Sequence, residues 1–205
     1  MGKPLYDFPP LNHTSLFLTF AKKTMSSPFS KSLLRWFDTE KRDLPWKETR
    51  DPYKIWISEI ILQQTRVAQG LPYYLRFISR FPDVIALANA PQDEVLKLWE
   101  GLGYYSRARN LHHTAQLIRD EYNGKFPDTY EEVLALKGIG AYTAAAIMSF
   151  AYGKAYPVLD GNVKRVVARY LGIHEPADLP ATQKTMMTWL NSVIPNNKAD
   201  DFNQA

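Results

Sequence analysis

Cysteine is absent from these 205 residues, which excludes a disulfide framework, a thiolate nucleophile and any cysteine-ligated metal. The four histidines, His13, His112, His113 and His174, show no metal-ligand spacing, so no metal site is expected within the chain. Long apolar runs are missing too. The stretch from Ser15 to Phe20 is too brief to span a membrane and has no small-residue cleavage pattern after it. The expectation is a soluble, cytoplasmic, monomeric protein with no membrane association. Internal repeats, low-complexity tracts and strand-like alternation are likewise absent, which leaves an all-α class. No charge sign dominates: 25 Lys and Arg against 21 Asp and Glu give +4, compatible with a polyanionic partner without proving one.

What is present is apolar and aromatic. Hydrophobic residues make up 45% of the chain, with Trp 5, Tyr 12 and Phe 10, enough for a core in one large or two small domains. Residues 1–28 carry Pro4, Pro9, Pro10 and Pro28 without helical period and are expected to be a disordered extension. After them the periodicity predicts helices over 30–38, 53–70, 73–81, 84–90, 91–99 and 106–122. Asp51-Pro52 offers an N-cap with proline in the first turn, Asn123-Gly124 a stop, and Thr129 with Glu132 a capping box. A further helix is expected around 182–193, and the final Phe202 to Ala205 looks cut mid-helix.

Three places draw attention as chemistry. In the first, Lys137, Gly138, Ile139 and Gly140 form a tight turn between helices, where glycine accepts positive φ and lets the backbone lie flat against a neighbour. The N–H groups opening the next helix favour an anion. Twenty positions on, Asp160 precedes Gly161, Asn162, Lys164 and Arg165, an acid among groups suited to phosphate. The competing reading of the turn is an ordinary helical hairpin. In the second, Glu59 projects from a stripe with Ile55, Trp56, Leu62 and Gln63, where desolvation would raise its pKa as a general acid requires. Against this, Ile57, Ile60 and Ile61 make that helix apolar all round, with Glu59 at an edge. In the third, Gly101 to Asn110 combines glycines, Tyr104 and Tyr105, Arg107 and Arg109, suited to stacking on bases and neutralising phosphate. From the residues alone the competing reading, a helix C-cap with inward tyrosines, is the better supported.

These segments together resemble the endonuclease III superfamily of DNA glycosylases. The run from Leu134 to Arg165 looks like its helix-hairpin-helix and aspartate, and WISEIILQQT resembles the MutY-type adenine glycosylases in particular. The resemblance spans about 29–205. It implies two helical lobes with a cleft between them: a six-helix barrel over 53–152, and a second lobe of 29–52 with 153–205. It implies Glu59, Asp160 and Tyr142 as catalytic residues, and Trp46, Leu62 and Gln204 as contacts to a flipped adenine. Gln63, Gln64, Thr65, Tyr104, Arg107, Arg109, Lys137, Gly138, Ile139, Gly140, Asn162, Lys164 and Arg165 would contact DNA. The implied substrate is duplex DNA with adenine opposite 8-oxoguanine or guanine, and Tyr142, where bifunctional relatives carry lysine, implies a monofunctional enzyme. Family members continue into a four-cysteine loop holding a 4Fe-4S cluster and a domain that reads 8-oxoguanine, neither of which occurs in these residues; the second lobe is therefore expected to fray near Gln204. An endonuclease III-like pyrimidine glycosylase and lyase, or a catalytically silent DNA-binding module, are the alternatives.

Overall fold

A computed structural model describes residues 27–205, so the expected extension at 1–28 lies almost wholly outside the described residues. Every regular element among them is helical: α1 (Pro28–Glu40), a 3-10 turn (Pro45–Lys47), α2 (Pro52–Leu62), α3 (Val67–Arg80), α4 (Val84–Asn89), α5 (Gln92–Leu98), α6 (Ser106–Glu121), α7 (Tyr130–Ala135), α8 (Ala141–Phe150), α9 (Gly161–Leu171), α10 (Pro180–Val193) and α11 (Ala199–Gln204). No helix among the described residues is long and apolar enough to cross a membrane.

Two compact units divide the described residues: Asp43–Lys154, the inner one in order along the sequence, and the flanking residues 27–42 with 155–205, the outer one in that order. The first boundary falls before residue 43 rather than after residue 52. Leu44 and Trp46 are buried, and the Trp46 ring stands edge-on to Tyr74 of α3 with centroids 5.1 Å apart, which draws this segment into the inner unit.

Seven α-helical segments, α2 to α8, build the inner unit. Tyr53, Ile55, Trp56, Ile57, Ile60 and Ile61 of α2 are all buried, and α2 packs on both α3 and α8. Its start follows the sequence, with Asp51 accepting from the Tyr53 N–H at 2.9 Å. The expected helix over 53–70 stops at Leu62 and a new one begins at Val67, running through Pro72 to Arg80. The intervening turn holds no glycine or proline. Its stop comes from elsewhere: Arg107 donates to the carbonyls of Ile60 (2.8 Å) and Gln63 (2.6 Å), which have no partner further along α2. The Thr129 cap is half of a capping box. Its hydroxyl accepts from the Glu132 N–H at 3.3 Å and donates to the Glu132 carboxylate at 2.5 Å.

In the outer unit Phe29, Leu34, Val167, Met186, Leu190, Ile194, Ala199 and Phe202 form one buried cluster. Phe29 lies 4.6 Å from Tyr170 and 4.9 Å from Trp189 between ring centroids, and Ser30 donates to the Val193 carbonyl at 2.6 Å. Near Gln204, where fraying is expected, α11 is formed over Ala199–Gln204. α11 inserts Phe202 into the cluster, and Asn203 donates to the Tyr156 carbonyl (2.8 Å) while accepting from the Val158 N–H (3.2 Å). Two bonds to one extended run, just before Asp160, fix the short helix where its own few backbone bonds would not.

Candidate nucleic-acid interface and catalytic residues

The turn between α7 and α8 has the form expected, with one difference. Gly138 is left-handed at φ +82°, whereas Gly140 is extended at φ −94° and caps α8 without needing glycine's freedom. Ile139 is buried, and its N–H donates to the Leu136 carbonyl at 3.1 Å. Lys137, Gly138, Gly140, Ala141 and Tyr142 are exposed around it. The close approach that Gly138 permits is to protein: a Cβ there would stand 2.8 Å from the Asn110 Cβ of α6. The Lys137 carbonyl is held from behind by Thr114, which donates at 2.8 Å. Around Gly140 a Cβ would meet nothing within 4 Å, so that side of the backbone is open where the first turn of α8 begins.

Glu59 is the only acid in α2. The helix is buried on most sides, so Glu59 sits with Leu62 at a half-exposed edge rather than within an apolar stripe. Beyond it Gln63 and Thr65 are half-buried and Gln64 exposed, with Gln64 left-handed at φ +57°. The Gln63 amide reaches the buried Thr143 hydroxyl of α8 at 3.5 Å.

Tyr104 is 66% exposed and also left-handed, at φ +46°. Its turn is built from inside by Trp99, whose indole donates to the Gly103 carbonyl at 3.0 Å, and by the Tyr73 hydroxyl donating to Glu100 at 3.0 Å. The inward packing that the C-cap reading requires does not occur for Tyr104. Arg109 is exposed, as a phosphate contact requires.

Two expected contacts have other surroundings. Arg107, expected at phosphate, is directed inward to carbonyls, and burial pushes its guanidinium pKa down. Trp46, expected against adenine, is buried on Tyr74. Sequence reasoning passed over Thr114 and gave no role behind this turn to Asn110 or Trp56, which it read only with the Tyr104 segment and the Glu59 stripe. With Gln63, Arg107, Lys137 and Gly138, Asn110 and Trp56 line a cavity of ≈ 160 Å³ behind the turn. The Trp56 indole N–H and Arg107 Nε are buried there without a partner. No local pattern marks such residues, because their partners lie tens of positions away.

In the outer unit Asp160 caps α9, its Oδ1 accepting from Asn162 N (2.9 Å) and Val163 N (2.8 Å) and its Oδ2 from the Asn162 amide (3.3 Å). These bonds hold the half-exposed carboxylate in one orientation and supply an ordinary structural reason for an acid at this position. Lys164 pairs with Asp178 at 2.7 Å, and Arg165 donates to the Asn162 side chain. Gln204 is half-buried at the end of α11.

With no cysteine in the chain, nothing in it can ligate an iron-sulfur cluster in the usual way, and among the described residues no group of His, Cys, Asp or Glu could hold a metal.

Residues 57–192 match the HhH-GPD superfamily of base excision DNA repair proteins. The adenine DNA glycosylase of Buchnera aphidicola subsp. Baizongia pistaciae is 43% identical over 178 residues, covering 86% of this chain and 50% of that protein. The adenine DNA glycosylase of Homo sapiens is 42% identical over 188 residues, covering 86% of this chain and 34% of its own length. This chain therefore spans half or less of either relative. A solved thermostable thymine-DNA glycosylase superposes with a TM-score of 0.78 at 32% identity, covering 86% of this chain and 81% of its own.

Proposed function

We propose, because the chain belongs to the HhH-GPD superfamily of base excision DNA repair proteins, that it is the glycosylase portion of an enzyme that removes adenine mispaired with 8-oxoguanine or guanine. The observation that carries this reading is Glu59. It is the single acid of α2, at the half-exposed edge of a helix most of whose residues are buried and beside a turn exposing Gln64, where an extruded base could reach it. The adenine specificity rests on the likeness to adenine glycosylases at 43% and 42% identity.

An N-glycosidic bond within a base stack is inaccessible, so the adenosine must first be extruded. The exposed Tyr104 serves as a wedge, and Gln63, Gln64 and Thr65 enter the space vacated. Backbone N–H groups at Gly140 and Ala141 take a phosphate, aided by Lys137 and Arg109. Leu62 lies one helical turn from Glu59 and borders the adenine; Gln204 and Trp46 are the weaker candidates there, Trp46 requiring its ring to leave Tyr74.

The reaction is hydrolysis. Glu59, protonated, gives its proton to N7 of adenine; the C1′–N9 bond breaks and its electron pair leaves with the base. The oxocarbenium-like sugar is stabilised by the Asp160 carboxylate, water adds to C1′, and Glu59 takes the proton that water sheds. Tyr142 supplies no amine to attack the sugar, so strand cleavage does not follow. Asn162, Lys164 and Arg165 serve the backbone near the sugar, Lys164 after parting from the exposed carboxylate of Asp178.

The test is Glu59→Gln in the full-length protein. Single-turnover excision from an 8-oxoguanine·adenine duplex should fall by about 10²–10⁴, the usual worth of a general acid, with duplex binding nearly intact. Normal excision by the variant would remove Glu59 from the mechanism, and excision of an oxidised pyrimidine instead would favour the endonuclease III-like alternative.

A further inference from the structure

We infer that Arg107 is a positioning residue that ties the turn after α2 to the turn bearing Tyr104 and thereby sets both against a bound duplex; this rests on the glycosylase reading above. Its Nη1 donates to the carbonyls of Ile60 (2.8 Å) and Gln63 (2.6 Å), with Ile61 at a longer 3.4 Å. Its Nη2 reaches the Leu102 carbonyl at 3.4 Å, and Nε is buried. One face of the guanidinium lies over Trp99, 5.4 Å from the ring centroid, and Tyr104 is at 5.5 Å. A planar fork with several fixed N–H directions can serve two turns and two rings at once; an ammonium, a point charge on a flexible stem, cannot. With its donors directed at main-chain carbonyls, the group is not free to act as a phosphate ligand.

Backbone strain supports the same assignment. Among the described residues three that are not glycine adopt positive φ: Gln64, Tyr104 and Asn123. Asparagine accepts this conformation readily, glutamine and tyrosine much less so. The latter two stand on the two turns that Arg107 joins. Such conformations persist only where the surroundings over-determine them. Arg107 bonds the carbonyl just before Gln64 and lies against the Tyr104 ring.

The experiment compares full-length protein with Arg107→Lys and Arg107→Met. Without DNA, hydrogen exchange at residues 63–66 and 102–105 should accelerate by about tenfold or more, while α9 and α10 remain unchanged. Duplex binding should keep its salt slope. Excision from an 8-oxoguanine·adenine duplex should slow in both variants, with lysine failing to rescue it. A uniform rise in exchange would make Arg107 a general stability residue. A salt slope smaller by about 0.9 would make it a phosphate contact, and rescue by lysine would show that charge suffices; each of these overturns the inference. If the wild-type protein excises no adenine, the glycosylase reading fails by itself, and exchange and salt slope still decide whether Arg107 joins the two turns.

Discussion

Gly138 lies so close to Asn110 that a Cβ built on it would stand 2.8 Å from the Asn110 Cβ and 3.2 Å from its side-chain nitrogen. The turn between α7 and α8 is thus seated on α6, and its two glycines do different things. Gly138 is required by its left-handed backbone and by packing; Gly140 is required by neither.

Substitution should separate the two. Gly138→Ala forces an L-residue into the left-handed region at about 1–2 kcal/mol and adds the Asn110 clash, so Tm should fall by about 3–8 °C. Gly140→Ala should melt within about 1 °C of wild type, since nothing occupies the space, yet bind duplex DNA several times more weakly if a phosphate approaches there. Thermal unfolding and a binding titration at fixed salt check both. Wild-type binding by Gly140→Ala would remove this backbone from the interface.

Tyr104→Ala tests the wedge. The side chain is 66% exposed, so its removal should scarcely change Tm. Preference for an 8-oxoguanine·adenine duplex over undamaged DNA should fall by about 1–3 kcal/mol, the worth of one base stacked on an aromatic ring. A variant that melts much earlier while keeping its preference would instead make Tyr104 a structural residue.

His112 gives the inner unit an acid-sensitive point. Burial lowers its pKa, with Arg119 adding repulsion against backbone hydrogen bonds at Ala90 and Ala88 that act the other way. The unfolded chain therefore takes up this proton first. The stability tied to neutral His112 is whole above the ordinary value of 6.5 and is lost as pH falls from there toward the lower folded pKa. The loss approaches about 1.4 kcal/mol per pH unit for one group. Denaturant unfolding at several pH values between 7.5 and 5 should show a shallower decline for His112→Gln. Equal slopes in the two proteins would mean that other groups set the acid sensitivity.

The sequence by itself determined what depends on neighbours along the chain. Apolar periodicity placed most helices, Asp51 and Thr129 capped theirs as side chains three or fewer positions away can, and Ile139 is buried because the flanking helices leave it nowhere else to go. Glu59 and Asp160 were conspicuous for the same reason, each an acid out of keeping with its immediate surroundings. Tertiary structure decided what depends on residues remote in sequence. α2 ends at Leu62 because Arg107, more than forty positions later, satisfies its last carbonyls. Gly138 is confined by Asn110, Trp46 is covered by Tyr74, and α11 is held by Asn203 gripping the run before Asp160. A helix period reports which side of an element is apolar, and a cap reports where a few N–H groups find an acceptor. Neither reports which distant donor meets an unpaired carbonyl, because that pairing exists only once the chain has brought the two together.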